Sequence, residues 1–228
     1  MTAVVTGAAR GIGRAIAERL LADHRVLLVD LDPGVEALAA QLGADAVTTD
    51  LTDPAGRQRI VDAVDRVGVL VNNAGITRDA RIVKMTDEDF LAVIRVNLGA
   101  AYELTSALRD RFADGAAVVS LASRAYLGNF GQFNYSASKG GLVGLTRALA
   151  LELAPRVRVN AVAPSLTASE MTMAMPEKVR EKMIASIPMG RMGEPHEIAD
   201  TVAALASPAM AYVTGQVVVA CGGRSLAP

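Results

Sequence analysis

Residues 2–13, TAVVTGAARGIG, place a short apolar run directly before three glycines, Gly7, Gly11 and Gly13. The run is rich in Val and predicts a buried strand, and the residues after it have the pattern of a helix. A strand, a glycine turn and a helix in this order let the backbone approach a pyrophosphate, because the helix N-terminus offers free N–H groups. No Gly-Lys-Ser/Thr follows, so the turn is not the loop of a nucleoside triphosphate site.

Short apolar runs and helical patterns alternate along the rest of the chain. Strands are predicted at 2–6, 25–29, 45–49, 69–73, 116–121, 157–161 and 216–219, and helices at 12–23, 34–42, 54–67, 87–112, 134–153 and 195–206. This alternation predicts one α/β domain over 1–228, a doubly wound seven-stranded parallel sheet with helices on both faces. Ligands bind such sheets beyond the carboxyl ends of the strands, so functional residues are expected just after strands.

The composition narrows the class of protein. The 228 residues are 51% apolar and carry a net charge of −1. No apolar run has the length of a membrane span, and the N-terminus passes straight into a strand, so no signal peptide is expected. The charge favours neither a nucleic-acid nor a membrane partner. Cys221 is the only cysteine, which fits the cytoplasm, and His24 and His196 lack neighbouring ligands, so we predict no metal site.

Residues 164–194 interrupt the alternation. They contain six of the nine methionines, at 171, 173, 175, 183, 189 and 192. We interpret the segment as an insertion of short helices between a strand and the next long helix. The methionines either fill gaps between helices or form a mobile lid over a substrate pocket.

Two aspartates follow predicted strands. Asp30 ends the second strand, where a carboxylate accepts both hydroxyls of an adenosine ribose and repels a 2′-phosphate, which favours NAD over NADP. The alternatives are that Asp30 is a turn residue and that Arg10 reaches a 2′-phosphate. Asp50 follows the third strand, where it is placed to meet an adenine amino group or to lie in a helix N-cap region ahead of Pro54.

Tyr135 and Lys139 lie four residues apart in NYSASKGG, residues 134–141. On the predicted helix 134–153 this spacing places them on one face, one turn apart. The helix is apolar on most of its circumference, so both side chains should be partly desolvated. We expect the Lys139 charge to lower the pKa of the Tyr135 phenol, which would then exchange a proton with an alcohol.

The chain resembles the short-chain dehydrogenase/reductase family along nearly its whole length. The matching motifs are TGAARGIG at 6–13, DLTD at 50–53, NNAG at 72–75, Asn97 in RVNLGA, the Ser segment VVSLAS, YSASK at 135–139, VNAVAP at 159–164 and YVTGQ at 212–216. The resemblance implies a Rossmann fold. It also implies that Tyr135 is the general acid/base and that Lys139 lowers its pKa and holds the nicotinamide ribose. Asn97 would hold a water that links Lys139 to solvent.

The resemblance also implies a Ser that hydrogen-bonds the substrate oxygen. Ser120 and Ser123 both lie near the end of the fifth strand, and at the family's usual distance from the Tyr stands Ala122. We assign the role to Ser123, because a loop one residue shorter than usual before Tyr135 would place Ser123 at the family's Ser position. Tyr126, in the following loop, either lines the substrate pocket or packs the loop.

The predicted cofactor site combines these motifs with three positions after the sixth strand. Pro164 is followed by Ser165 where the family commonly has Gly, and Ser169 keeps the hydroxyl that holds the nicotinamide carboxamide, with Thr167 offering backbone groups. The full set is Gly7, Arg10, Gly11, Ile12, Gly13, Asp30, Asp50, Leu51, Asn73, Ala74, Gly75, Tyr135, Lys139, Pro164, Thr167 and Ser169.

The resemblance predicts an oxidoreductase that moves a hydride between nicotinamide, most readily as NAD, and a carbonyl or secondary alcohol. NNAGITRD at 72–79 is similar to 3-oxoacyl-[acyl-carrier-protein] reductases, and Asp30 and PEKV at 176–179 are similar to NAD-dependent 3-hydroxyacyl-CoA dehydrogenases, so an acyl thioester is the expected substrate. The alternatives are a simple alcohol, sugar or cyclic alcohol, a non-catalytic NAD sensor, and an epimerase or dehydratase. The resemblance implies that subunits pair through helices 87–112 and 134–153, and the second helix has more apolar surface than one sheet face can cover, so a homotetramer is expected.

Overall fold

A computed structural model of the chain describes residues 1–173 and 175–226. Within them one parallel sheet has the order β3-β2-β1-β4-β5-β6-β7. Its strands are β1 (Thr2–Thr6), β2 (Arg25–Asp30), β3 (Asp45–Thr48), β4 (Val67–Asn72), β5 (Phe112–Leu121), β6 (Val157–Pro164) and β7 (Val217–Ala220). The order reverses between β1 and β4, which confirms the predicted doubly wound fold. This reversal is the switch point at which ligands bind such sheets.

Helices cover both faces of the sheet. They are α1 (Gly11–Leu20), α2 (Gly34–Leu42), α3 (Pro54–Asp62), α4 (Asp87–Ile94), α5 (Ala100–Ala107), α6 (Phe133–Leu153), α7 (Glu170–Met173), α8 (Glu177–Ala185) and α9 (Pro195–Ala206). The continuous helix expected at 87–112 is wrong, because a π-helical turn at Arg95–Gly99 separates α4 from α5 and β5 already begins at Phe112.

The core lies in two layers, one on each face of the sheet. Neighbouring residues of β1 belong to different layers: Val5 packs with Ile16 of α1 and Val202 of α9, and Val4 packs with Ile60 of α3. Successive side chains of a strand point to opposite faces. Because both faces are buried, the strands read as continuous apolar runs rather than alternating ones.

The segment between β6 and α9 contains α7 and α8, as expected for an insertion of short helices. Residue 174, which falls within the predicted lid at 164–194, lies outside the described residues. The lid function of this segment stays a prediction. In the part of the chain that the structure describes, no helix has the length and apolar character needed to cross a bilayer.

Candidate active site

The glycine turn joins β1 to α1 in a conformation that few other residues adopt. Gly7 has φ +65° and Gly11 has φ +58°, both in the left-handed region. A Cβ on Gly13 would collide with the carbonyl oxygen of Gly7, whereas a Cβ on Gly11 would meet open space. Arg10, the N-cap of α1, makes no side-chain capping bond. The N-terminus of α1 therefore keeps its N–H groups available beside an open cradle, which fits a pyrophosphate.

Hydrogen bonds fix this turn against the end of β4. The Thr6 hydroxyl donates to the carbonyl of Val71 (3.2 Å) and accepts from the backbone N–H of Asn73 (3.0 Å) and of Ala74 (3.1 Å). The Asn73 side chain donates to the carbonyls of Thr6 (2.9 Å) and Gly7 (3.0 Å). Sequence reasoning did not single out Thr6. Its position as the last strand residue before a glycine turn is the signal that could have found it.

Asp30 lies over the same turn. One carboxylate oxygen accepts from the backbone N–H of Ala9 (2.9 Å) and the other from that of Asp32 (3.0 Å). Arg10 lies 3.6 Å from the carboxylate of Asp32 in an exposed ion pair. The Asp30 carboxylate is thus held at the end of β2, and each oxygen retains a lone pair for a ligand hydroxyl.

Asp50 occupies an exposed turn after β3. Its carboxylate accepts from the backbone N–H and the hydroxyl of Thr52, both at 2.8 Å. Asp53, not Asp50, caps α3 by accepting from the backbone N–H of Ala55. Leu51 packs against the core layer beneath.

Tyr135 and Ser123 meet where β5 and α6 come together. The Ser123 hydroxyl lies near the Tyr135 phenol, whose pKa it lowers, and accepts from the backbone N–H of Ala125 (3.2 Å), so it caps the 3₁₀ turn Arg124–Leu127. Ser120 lies inside β5, opposite Asn72 of β4 and Ala161 of β6. Of the two candidate serines, Ser123 is therefore the one beside the phenol.

Lys139 lies one turn further along α6, and its side chain is only 4% exposed. Its ammonium donates to the carbonyl of Leu121 (2.6 Å) and lies 5.6 Å from the centre of the Tyr135 ring. Burial lowers the pKa of Lys139 to about 8, because desolvation disfavours the charged form.

The pKa of the Tyr135 phenol shifts in the opposite direction from the one expected from the sequence. Its pKa is raised: burial is the largest cause, the hydrogen bond from Ser123 opposes it, and the charge of Asp79 adds to it. Lys139 is not among the causes of this shift, and its ammonium is turned toward the carbonyl of Leu121. The expected lowering of the Tyr135 pKa by Lys139 is therefore absent here.

Asn97 lies in the π-helical turn, buried beside this pair. Its amide oxygen accepts from the backbone N–H of Ile76 (2.8 Å), and its NH₂ donates to the Ile76 carbonyl (3.0 Å) and to the hydroxyl of Ser138 (3.1 Å). A Cβ added to Gly75 would lie 3.1 Å from the Asn97 amide oxygen and 3.6 Å from the Lys139 ammonium nitrogen. Gly75 thus leaves a cradle at the Lys139 ammonium. Ser138, which supports Asn97, was not predicted.

The remaining predicted site residues follow β6, which ends at Pro164. Thr167 donates from its hydroxyl to the carbonyl of Ser165 (3.3 Å), and its own carbonyl accepts from Thr172 (2.9 Å). The Ser169 hydroxyl accepts from the backbone N–H of Thr172 (3.2 Å) and so caps α7. The Ser169 hydroxyl is therefore engaged within the chain, unlike the free donor that the sequence suggested.

One partly buried and two exposed aromatic residues lie in the loop before α6 and at the first residue of that helix. Tyr126 packs against the buried cluster of Ala122, Val143, Ala161 and Ala163, which favours its packing role. Phe130 and Phe133 line a cleft of about 500 Å³ with residues 80–83. The guanidinium of Arg81 lies 6.0 Å from the Phe130 ring centre.

Known proteins resemble the chain along its whole length. The family model described as enoyl-(acyl carrier protein) reductase matches residues 7–225. The 3-oxoacyl-[acyl-carrier-protein] reductase FabG of Escherichia coli strain K12 is 38% identical over 235 aligned positions, gaps included, which cover 97% of this chain and 96% of that protein. FabG of Thermotoga maritima is 40% identical over 238 aligned positions, which cover 96% of each protein. An uncharacterised oxidoreductase of Mycobacterium tuberculosis is 44% identical over 98% of this chain and 96% of its own length.

A solved structure agrees with these relatives. A short-chain dehydrogenase/reductase of Brucella melitensis, described as a glucose/ribitol dehydrogenase, superposes with a TM-score of 0.94 at 35% identity, over 98% of this chain and 96% of that one. With the glycine turn and the doubly wound sheet, these matches show an oxidoreductase whose family takes a nicotinamide cofactor. The chain belongs to the short-chain dehydrogenase/reductase family.

Proposed function

We propose that this oxidoreductase moves a hydride between NAD and the carbonyl or secondary-alcohol carbon of a 3-oxoacyl or 3-hydroxyacyl thioester. The observation that carries the proposal is that Ser123 lies near the Tyr135 phenol, with the buried Lys139 one turn further along α6. The relatives named 3-oxoacyl-[acyl-carrier-protein] reductase support the acyl part of the substrate.

The residues act on the substrate oxygen. In the reducing direction Ser123 donates a hydrogen bond to the carbonyl, and Tyr135 gives its proton to the oxygen as negative charge develops there. In the oxidising direction Tyr135 accepts the hydroxyl proton. The nicotinamide supplies or takes up the hydride.

Three groups around Tyr135 complete the proposal. Lys139 holds the nicotinamide ribose in the cradle beside Gly75. Asn97 fixes the neighbouring backbone at Ile76 and holds a water that returns protons to Lys139. Thr167 and Ser169 offer backbone and hydroxyl groups to the carboxamide, and Ser169 must release Thr172 to do so.

The preference for NAD rests on Asp30. The rest of the proposed cofactor site has two parts. The residues around the pyrophosphate are Gly7, Arg10, Gly11, Ile12 and Gly13, and those around the adenosine are Asp50, Leu51, Asn73 and Ala74. A carboxylate at the ribose repels a 2′-phosphate.

Asp30→Ser is expected to reduce the ratio of kcat/KM for NADH over NADPH by at least about 10-fold, since a charge-assisted hydrogen bond is lost. Thermal unfolding is the control, because Asp30 also holds Ala9. An unchanged ratio in a folded variant would contradict the NAD assignment.

The alternative substrates are small secondary alcohols, sugars and cyclic alcohols, and the relative described as a glucose/ribitol dehydrogenase supports them. A non-catalytic NAD sensor is the alternative of another class. We further propose a cytoplasmic homotetramer without nucleic-acid or membrane partners, in which segment 164–194 closes over the substrate.

The experiment is a dinucleotide oxidation assay of the purified protein. Acetoacetyl thioesters and a panel of ketones and sugars are each tested with NADH and with NADPH. We expect NADH-dependent turnover of the thioesters above the other classes. Cofactor binding without turnover of any compound would support the sensor, and faster turnover of sugars or simple ketones would support the alternative substrates.

A further inference from the structure

Two arginines lie beyond the carboxyl ends of neighbouring strands, beside the proposed catalytic residues. Arg124 directly follows Ser123 at the end of β5, and Arg224 follows β7. Both strands pair with β6, with Leu121 opposite Val162 and Pro164 opposite Ala220. The loops after β5, β6 and β7 therefore meet at one edge of the sheet, on the side of Ser123 and Tyr135.

The guanidinium groups of these arginines are incompletely satisfied. Among the described residues, the Arg224 side chain reaches only the hydroxyl of Ser165, at the outer limit of a hydrogen bond (3.5 Å). The Nε of Arg124 is shielded from solvent and has no hydrogen-bond partner among the described residues. A buried donor without an acceptor costs free energy, so a ligand that supplies an acceptor would be stabilised here.

The charges at this edge are not balanced by carboxylates. Burial lowers the pKa of Arg224, and the positive charge of Arg124 lowers it further, so the two guanidinium groups repel each other. Of the causes of this shift, only the Cys221 thiol raises the pKa of Arg224. Neither arginine forms an ion pair with the side chains that the structure describes. By contrast, Arg191 makes two 2.7 Å bonds to Glu197.

One feature of the sequence contributes to this arrangement. Ser165 stands where the resemblance leads one to expect Gly after the sixth strand, and its hydroxyl is the contact of Arg224.

We propose that Arg124 and Arg224 bind an anionic oxygen group of the substrate, such as a carboxylate, so that the enzyme selects carbonyl compounds that carry a negative charge. The proposal rests on the proposed function, because Tyr135 and Ser123 define where the reacting carbonyl lies. Planar guanidinium groups match the two oxygens of a carboxylate or phosphate. The anion is either a carboxylate of the oxo acid itself or a phosphate of a thioester carrier.

Matched substrate pairs separate these sources. Acetoacetate and its neutral ethyl ester differ in a carboxylate, and acetoacetyl-CoA and the acetoacetyl thioester of N-acetylcysteamine differ in carrier phosphates. We expect a higher kcat/KM for the charged member of one pair. Arg124→Met and Arg224→Met should each lower that value by about 10- to 100-fold and change the neutral member by less than about 3-fold, as loss of a charge-assisted bond implies.

Arg66→Met is the matched control, because Arg66 is exposed at the opposite end of β4; it should leave both members unchanged. Arg124→Lys and Arg224→Lys keep the charge and replace the Met variants if those fail to fold. No charge preference in an active wild-type enzyme, or equal losses for charged and neutral members, would overturn the anion site and leave the proposed function standing.

A titration without turnover separates the two claims. 3-Hydroxybutyrate is titrated calorimetrically into each protein in the presence of NADH. We expect its Kd to rise by about 10-fold in the Arg→Met variants, as for one lost charge-assisted contact. Such a rise in a protein that reduces no ketone would support the anion site and contradict the proposed function. An unchanged Kd, together with no charge preference between acetoacetyl-CoA and the N-acetylcysteamine thioester, would overturn the anion site.

Discussion

Lys139 is the residue whose burial most affects how the acid–base pair works. Its ammonium has one protein acceptor, the Leu121 carbonyl, and no carboxylate partner among the described residues. Burial lowers its pKa from 10.5 to about 8, so at neutral pH the folded chain keeps a charge that water would solvate better. The stability cost is consistent with a functional need for that charge beside Tyr135.

Lys139→Met tests this cost. We expect the free energy of unfolding to rise by about 1–3 kcal/mol near pH 7, since an apolar residue of similar size needs no charge desolvation. Because the folded pKa of about 8 lies below the ordinary 10.5, the unfolded chain binds more protons between these values, and wild-type stability rises with pH there. The gain should be full below pH 8 and shrink toward pH 10.5. Urea unfolding of both proteins across this range measures it; a constant difference would contradict the buried charge.

The sequence predicts the residues of this pair better than their electrostatics. The spacing of Tyr135 and Lys139 fixes their common helix face, which needs only local geometry. The direction of the Tyr135 pKa depends on how much chain covers the phenol, which is a tertiary property. Loop length alone left Ser120 and Ser123 open, and the capping contact of Ser123 decides between them.

At the scale of elements, the β1–α1 turn and the π-helical turn position the site. The glycine turn could be predicted, because its glycines and flanking patterns are local. The π-helical turn at Arg95–Gly99 could not, because the apolar periodicity continues through it. Its extra residue aims Asn97 inward, and such turns frequently occur at functional sites.

Gly13→Ala tests the packing of the glycine turn. The added methyl would overlap the Gly7 carbonyl, so we expect a loss of about 1–3 kcal/mol in unfolding free energy together with weaker NADH binding. Gly144→Ala is the control, because a Cβ there meets nothing within 4 Å in α6 and should stabilise by up to about 1 kcal/mol. Thermal unfolding and NADH fluorescence measure both. Normal NADH binding by Gly13→Ala would show that the turn does not hold the cofactor.

At the scale of the whole molecule, the sheet order brings distant segments to one edge. The turn after β1, the ends of β2 and β4, and the loops after β5, β6 and β7 all lie at the carboxyl ends of parallel strands. The alternation of strands and helices predicts that edge. The convergence of Arg124 and Arg224 could not be predicted, because it depends on the pairing of β6 with both of its neighbours.

The apolar surface of α4, α5 and α6 is the basis for the proposed tetramer. Leu91, Tyr102 and Leu151 are 54%, 53% and 84% exposed on these helices. Tyr102→Glu is expected to dissociate the assembly, since a carboxylate at a buried contact costs several kcal/mol, whereas Tyr102→Phe should preserve it. Light scattering measures the mass of each protein. A monomeric wild type, or an intact Tyr102→Glu tetramer, would contradict pairing through this surface.

The proton role of Tyr135 is the central claim, and Tyr135→Phe tests it most directly. The measurement is NADH oxidation by wild type and variant with an acetoacetyl thioester, with NADH binding measured in parallel. We predict a fall in kcat of about 10²- to 10⁴-fold with NADH affinity retained, because the variant loses the proton donor but keeps the ring. Undiminished turnover in Tyr135→Phe would contradict the account.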